Sequence, residues 1–255
     1  MKEKIPDNSI DMILADLPYG TTACKWDSII PLEPLWKQYK RVIKENGAIV
    51  LTASQPFTTK LINSNIEWFR YEWIWCKNRT TGSLLANKRP LKGHENILVF
   101  YKRQPTYNPQ MVKRKPEEIK RLSKKSVNTK VRGFKHEASH TANRKDYKMK
   151  YPNSKLFFKT VFNRSKNKTE HPTQKPVSLF EYLIKTYTNK NEIVLDNVIG
   201  SGTTAVACLK TNRKFIGFEK EEKYYNIALK RIGKFDKSYY DKLPEKEQPK
   251  QLQMF

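Results

Sequence analysis

Up to Tyr101, short apolar runs alternate with stretches that are apolar on one helical face only. Ile10–Ala15 has the character of a strand buried on both faces, and so does Ala48–Thr52. Between them, residues 32–43 carry apolar side chains at helical spacing, and the following Asn46-Gly47 is typical of a helix end. The same pattern predicts a short helix over 55–62 and strands over 71–76 and 97–101.

From Pro172 onward the alternation of helices and strands returns. The predicted order is a helix over 177–187, a strand over 192–196, a helix opening at 204, a strand over 214–219 and a helix over 222–232. A strand, a glycine turn, a helix and a second strand ending in an acid form half of a nucleotide-binding sheet. We therefore predict an α/β fold around a mostly parallel sheet.

Residues 102–168 differ in composition from both flanking regions. From Lys102 to Lys150 there are sixteen basic and four acidic residues, aliphatic residues are sparse, and aromatic residues are interleaved with the charge. Two interpretations fit this pattern: a disordered basic insertion, or a DNA-contacting segment that orders wholly or partly on binding.

The net charge narrows the class of partner. The chain carries 50 Lys and Arg against 25 Asp and Glu, a formal charge of +25 over 255 residues. Self-repulsion on that scale is unfavourable unless the partner is a polyanion. The sequence shows no apolar membrane span, basic amphipathic anchor or signal peptide, so nucleic acid is the expected partner.

The cysteines give no sign of a metal. Cys24, Cys76 and Cys208 are far apart, and with four scattered histidines they form no zinc-binding spacing. We expect a chain without a structural metal in a reducing, cytoplasmic setting.

A glycine turn late in the chain is a candidate cofactor site. In Asp196–Thr204, Gly200 and Gly202 allow a sharp turn and close approach to a ligand, and the following helix directs its first N–H groups toward it. Glu219 ends the next predicted strand, where a carboxylate can accept hydrogen bonds from ribose hydroxyls. The alternative is a loop that only connects a strand to a helix.

A second motif follows the first predicted strand. Open α/β sheets bind substrate at the strand ends beside the point where the order of strands reverses. If the first strand lies beside that point, Asp16-Leu17-Pro18-Tyr19 occupies the substrate site. Asp16 and the Leu17 carbonyl could accept the two N–H bonds of an aromatic amine, Pro18 would hold the backbone rigid, and Tyr19 would stack on a flipped base. In isolation an Asp-Pro turn is common, so the motif needs support from elsewhere.

Together the two motifs resemble those of the DNA amino-methyltransferases, which carry a D-P-P-Y catalytic loop and an F-x-G-x-G-like cofactor loop. Glu170–Pro176 is similar to the family segment H-P-T-Q-K-P, and Pro6–Asp11 and Gly93–Phe100 also look like family sequence. The resemblance covers most of residues 5–101 and 169–233.

The resemblance implies a Rossmann-like S-adenosylmethionine-dependent methyltransferase sheet with the circularly permuted motif order of the β class. It implies a catalytic half over 1–101, a basic, partly disordered target-recognition insertion over 102–168, a cofactor half over 169–235 and a flexible tail over 236–255. The base would meet Asp16, Leu17, Pro18 and Tyr19. The cofactor residues would be Asp196, Gly200, Ser201, Gly202, Thr203, Glu219, His171 and Lys175, the last two as helix-entry and cofactor-loop residues without an acid or base role.

The expected reaction is methylation of an exocyclic amine in double-stranded DNA. Relatives acting on cytosine N4 usually carry Ser where this chain has Asp16, so we expect adenine N6, with cytosine N4 as the alternative. Leu17 replaces the first Pro of the tetrapeptide, and Asn197-Val198 replaces a Pro-Phe pair ahead of the glycines. Related enzymes usually begin about fifteen residues earlier with a strand ending in an acid.

These departures keep a second interpretation open, a catalytically inactive DNA-binding protein that retains the fold. A third, methylation of RNA or protein, fits the permuted order and the basic insertion poorly.

Two further partners are expected from sequence. Gln251-Leu252-Gln253-Met254-Phe255 resembles the Q-L-x-L-F peptide that docks on the bacterial sliding clamp. Family habit also suggests a homodimer. The resemblance implies a bacterial or phage-encoded protein.

Overall fold

The computed structural model describes residues 4–21, 27–123, 148–161, 174–235 and 251–253. The chain divides into two compact units. Residues 109–153 form the smaller unit, and the segments before and after it form the larger one.

The described residues form ten strands. In chain order they are β1 (Ile10–Ala15), β2 (Ile43–Ala53), β3 (Phe69–Thr81), β4 (Lys92–Phe100), β5 (Val112–Lys113), β6 (Met149–Lys150), β7 (Lys155–Phe158), β8 (Ile193–Asp196), β9 (Lys214–Phe218) and β10 (Gln251–Gln253). Eight build one sheet, in the order β10-β9-β8-β1-β2-β4-β3-β7. Strands β9, β8, β1 and β2 run parallel, and β4 runs antiparallel to both β2 and β3. The predicted α/β, Rossmann-like architecture is confirmed.

The helices are α1 (Leu32–Val42), α2 (Phe57–Asn63), α3 (Pro116–Ser123), α4 (Val177–Tyr187), α5 (Thr203–Thr211) and α6 (Glu222–Gly233). Alternate residues of β1 enter two different cores because successive side chains of a strand point to opposite faces. Met12 and Leu14 pack with residues of α4, α5 and α6, whereas Ile13 and Ala15 pack with residues of α1 and α2. The sheet is therefore covered by helices on both faces. Within the described ranges no helix is both long and apolar enough to cross a bilayer.

The predicted end of the first helix is wrong. Helix α1 ends at Val42, and Ile43 already pairs with Ile10 of β1. The register then jumps, so that Ala48 faces Met12 and the residues between form a bulge. A Cβ on Gly47 would lie 2.9 Å from the Asp11 carbonyl oxygen. Asn46-Gly47 thus serves a close approach of two strands, and not a helix cap.

The smaller unit contains α3 and the two-residue strands β5 and β6. Val112 pairs with Lys150 and Lys113 with Met149. The Lys150 ammonium lies 2.8 Å from Glu118 Oε1, which links β6 to α3.

Two elements join the main sheet from stretches predicted as insertion or tail. Strand β7, within 102–168, runs parallel to β3 and pairs Leu156 with Trp75. Strand β10, within 236–255, runs antiparallel to β9 and pairs Leu252 with Gly217.

Candidate active site

The two predicted motifs meet at one edge of the sheet. Strands β1 and β8 are parallel neighbours, with Met12 opposite Val194 and Ile13 opposite Leu195. Their carboxyl ends therefore lie together, and they carry Asp16 and Asp196. Between these strands the chain order switches, because β2 continues the sheet on one side of β1 and β9 on the other side of β8. Such a switch point is where open α/β sheets bind ligands.

The Asp16 carboxylate is held by three side chains. Its Oδ1 accepts hydrogen bonds from the Tyr19 hydroxyl at 2.9 Å and from the Thr52 hydroxyl. Its Oδ2 accepts one from the Lys175 ammonium at 2.7 Å. The donors come from the motif itself, from β2 and from the segment before α4, so folding of three separate parts of the chain fixes this one carboxylate.

The Tyr19 ring is held in place by contacts with an aromatic ring and a cation. Its ring stacks on Phe57 with centroids 5.4 Å apart, and the Lys175 ammonium lies 5.5 Å from the centroid of the Tyr19 ring. Burial, with the negative charges of Asp16 and Glu95, raises the pKa of the Tyr19 phenol well above its usual range. Tyr19 therefore stays a neutral hydrogen-bond donor at physiological pH. Leu17, which lies between Asp16 and Tyr19 in the tetrapeptide, is buried in the core.

A series of ion pairs connects Asp16 to residues of β3 and β4. Lys175, 8% exposed, lies between Asp16 and Glu95 Oε2, which is 3.4 Å from its ammonium. The other oxygen of Glu95 pairs with Lys77. Burial opposes the charge on Lys175, but Asp16 and Glu95 outweigh it and raise the pKa of its ammonium. Lys175 is therefore a fixed cation beside Asp16.

Asp196 anchors the start of the glycine loop. It is buried, its Oδ1 accepts the Val198 N–H at 3.0 Å, and its Oδ2 accepts the Thr204 hydroxyl. Burial, countered by these hydrogen bonds and reinforced by the charges of Asp16 and Glu219, raises the pKa of Asp196 to about 7.

The glycine loop passes close to the end of β9. The Gly200 N–H donates to Glu219 Oε2 at 2.9 Å, and the Glu221 N–H donates to Oε1 at 2.8 Å. Gly202, with φ of +80°, precedes α5, and a Cβ there would lie 3.0 Å from the Cβ of Ala228. Only glycine fits this turn without strain.

Comparison with known proteins agrees with this geometry. Residues 10–230 match the DNA methylase family N6_N4_Mtase. This chain belongs to that family. The type II methyltransferase M.BglII of Bacillus subtilis is 32% identical over 245 residues, which cover 88% of this chain and 64% of the relative.

Solved structures share the fold with this DNA methylase. The S-adenosylmethionine complex of M1.HpyAVI is 27% identical, with a TM-score of 0.59 over 88% of this chain and 89% of that one. The cytosine-N4-specific PvuII DNA methyltransferase is 16% identical, with a TM-score of 0.61 over 96% of this chain and 84% of that one.

S-adenosylmethionine is the cofactor of this family, and the glycine loop has the properties that it requires. The turn has positive φ at both Gly200 and Gly202, and a Cβ at Gly202 would crowd Ala228 of α6. The Glu219 carboxylate at the neighbouring strand end suits ribose hydroxyls. Asp196, Ser201 and Thr203 lie in or beside the same loop. The Arg231 guanidinium supports it from α6, donating to the Ser201 carbonyl oxygen at 2.6 Å.

The segment before α4 joins the two halves of the DNA methylase site. Gln174 Oε1 accepts the Ser201 hydroxyl at 3.2 Å, while the next residue, Lys175, binds Asp16. Lys175, predicted from sequence as a cofactor-loop residue, thus contacts Asp16 of the tetrapeptide that follows β1. His171 lies outside the described residues.

Besides Phe57 and Arg231, sequence reasoning missed Thr52, Lys77 and Glu95 as contributors to the site. Glu95 lies within Gly93–Phe100, a stretch that already resembled family sequence, and that resemblance was the one signal that could have indicated it. Thr52 and Lys77 are defined only by the register of β2, β3 and β4.

Proposed function

We propose that this DNA methylase transfers a methyl group from S-adenosylmethionine to N6 of adenine in double-stranded DNA. The observation that carries the proposal is an aspartate, Asp16, at the end of β1 beside the glycine loop. Relatives acting on cytosine N4 usually have serine there.

The contacts of Asp16 suit an incoming amine. A carboxylate has about four acceptor positions. Among the described residues, Tyr19 and Thr52 use two on Oδ1, and Lys175 uses one on Oδ2. The remaining position on Oδ2 can take one N–H of the base, and the Leu17 carbonyl can take the other. The nitrogen lone pair is then directed away from both acceptors.

The remaining residues orient the base and the cofactor. Tyr19, whose ring stacks on Phe57, is the aromatic side chain that would stack on the base. S-adenosylmethionine supplies an electrophilic methyl group on a sulfonium. Asp196, Gly200, Ser201, Gly202, Thr203 and Glu219 would hold it beside Asp16.

The charge of the chain supports DNA as the substrate. A net charge of +25 suits a polyanion, and residues 102–168 hold a dense run of basic residues for target recognition. Binding to a duplex should weaken by roughly 10³-fold or more between low and moderately raised salt.

The test is transfer of tritiated methyl groups to unmethylated bacterial DNA, followed by digestion to nucleosides. We expect label in N6-methyladenine, none with Asp16→Ala, and full activity with Asp7→Ala, which removes an exposed carboxylate away from the site. Label in N4-methylcytosine would overturn the choice of base. DNA binding without any label would favour the inactive DNA-binding protein.

The C-terminal peptide is also proposed to bind the sliding clamp. Its first three residues pair with β9 as β10, so clamp binding would require release of that strand. Purified clamp should retain the full chain but not a chain ending at residue 250. Equal retention of both would contradict the proposal.

Light scattering would test the proposed homodimer by its mass.

A further inference from the structure

The connection between β3 and β4 is an ordered loop that lies wholly at the surface. Every residue from 78 to 92 is exposed, yet the loop is folded on itself. Gly82, with φ of +92°, starts a 3₁₀ turn over Ser83–Leu85, and the Lys88 and Arg89 N–H groups both donate to the Leu85 carbonyl oxygen at 3.0 Å. We call residues 78–92, which are the exposed ends of β3 and β4 and the turn that joins them, the β3–β4 loop.

This loop combines exposed apolar side chains with positive charge. Leu84 is 96% exposed, and Leu85 and Leu91 are also exposed. The loop contains four basic residues and no acidic one: Arg79, Lys88, Arg89 and Lys92. Partial burial lowers the pKa of Lys92, and the charges of Lys77 and Arg89 add to this against the opposing charge of Glu95. Exposed apolar side chains flanked by cations suit a partner with phosphates outside and apolar rings inside.

The loop projects from the same edge of the sheet as the candidate active site. Strand β4 runs antiparallel to β2 and pairs Asn96 with Ala53, so the start of β4 lies beyond the carboxyl end of β2. Glu95, three residues after the loop, is 3.4 Å from the Lys175 ammonium that binds Asp16. Lys77, just before the loop, pairs with Glu95. The base of the loop is thus tied to the catalytic carboxylate through buried ion pairs.

We propose that the β3–β4 loop docks on duplex DNA and that Leu84 inserts into the base stack, filling the space from which the target base is withdrawn toward Asp16. The proposal rests on the proposed function and adds the element that opens the duplex. Lys88 and Arg89 hold the flanking phosphates. Apolar wedges of this kind stabilise an unstacked step that water fills poorly.

The experiment is permanganate footprinting of unmethylated bacterial DNA fragments bound to the full-length protein. Permanganate oxidises thymines that have lost their stacking, so it reports an opened adenine–thymine pair without knowledge of the recognition sequence and without methyl transfer. Leu84→Ser is compared with wild type. Ile66→Ser is the matched control, since Ile66 is 62% exposed and lies before the opposite end of β3.

We expect discrete reactive thymines with wild type and Ile66→Ser, and about a tenfold loss of that reactivity with Leu84→Ser. Methyl transfer to native DNA should fall by a similar factor in Leu84→Ser, while transfer to heat-denatured DNA changes less than twofold. The absence of reactive thymines with wild type, or an unchanged pattern with Leu84→Ser, would overturn the proposal that Leu84 acts as a wedge. The exposed leucine would then be assigned to a different partner, such as a protein. Equal losses on native and denatured DNA would overturn it too. Reactive thymines that require Leu84, without methyl transfer by wild type, would support the wedge and refute the proposed function.

Discussion

Lys175 and Asp16, 159 residues apart in sequence, form an ion pair with 2.7 Å between Nζ and Oδ2 at the centre of the site. The same ammonium lies 3.4 Å from Glu95. One buried cation thus pairs with two carboxylates, Asp16 at the end of β1 and Glu95, which also pairs with Lys77 of β3. Removal of this cation should therefore lower both stability and methyl transfer.

Lys175→Met should destabilise the protein by about 3 kcal/mol, because it leaves Glu95 and Asp16 without their shared cation. It should also lower kcat at least about tenfold, since Asp16 loses the donor that fixes its Oδ2. Urea unfolding and methyl-transfer kinetics measure the two effects.

Lys185→Met is the control, because Lys185 is a half-exposed lysine 4.0 Å from Glu181 and should cost less than about 1 kcal/mol. If Lys175→Met were as stable and active as this control, the ion pair would have no role.

Asp196→Asn should change how stability depends on pH. Because burial raises the folded-state pKa of Asp196 to about 7, its carboxyl is protonated in the folded protein at pH 5. The stabilisation that this carboxyl provides is fully present below its pKa in the unfolded chain, and it is lost as the pH rises through about 7.

The free energy of unfolding of wild type, relative to Asp196→Asn, should therefore fall by about 3 kcal/mol from pH 5 to pH 8. Urea titrations of both proteins at the two pH values measure this difference. Parallel pH profiles would show that Asp196 ionises normally.

Gly202→Ala should destabilise the protein by about 2 kcal/mol and weaken binding of S-adenosylmethionine. The cause is a positive φ combined with a Cβ that would lie 3.0 Å from Ala228. Gly93→Ala is the matched control, since its nearest contact is an ordinary 3.7 Å to Thr80. Thermal unfolding and calorimetric titration with the cofactor separate the two variants. Equal behaviour would mean that the loop adapts to the added methyl group.

Arg231→Met should weaken binding of S-adenosylmethionine about tenfold, because the guanidinium fixes the glycine loop through the Ser201 carbonyl oxygen and hydroxyl. Lys230→Met removes an exposed charge from the same helix and should leave affinity unchanged. Calorimetric titration of both variants gives the comparison. An affinity loss of equal size in Lys230→Met would assign the effect to overall charge.

Features set by neighbouring residues could be predicted from the sequence, whereas contacts between distant segments could not. The end of β1 at Asp16 and the turn at Gly202 were predictable because strand hydrophobicity and glycine turns are local signals. The contact of Lys175 with Asp16 was not, since it depends on where α4 packs against β1. The bulge at Gly47 was misread as a helix end because asparagine-glycine pairs occur in both settings, and only the register of β1 and β2 distinguishes them.

The central position of β1 has a consequence for biosynthesis. Its Asp11 carboxylate accepts the N–H of Ile193, 182 residues later, and β8 pairs with one edge of β1. During translation the N-terminal half therefore leaves the ribosome with an open, apolar strand edge that nothing fills until most of the chain has been made. Pairing across such a separation is slow, and an open edge invites aggregation. We expect chaperone supply and low temperature to decide the yield of recombinant protein.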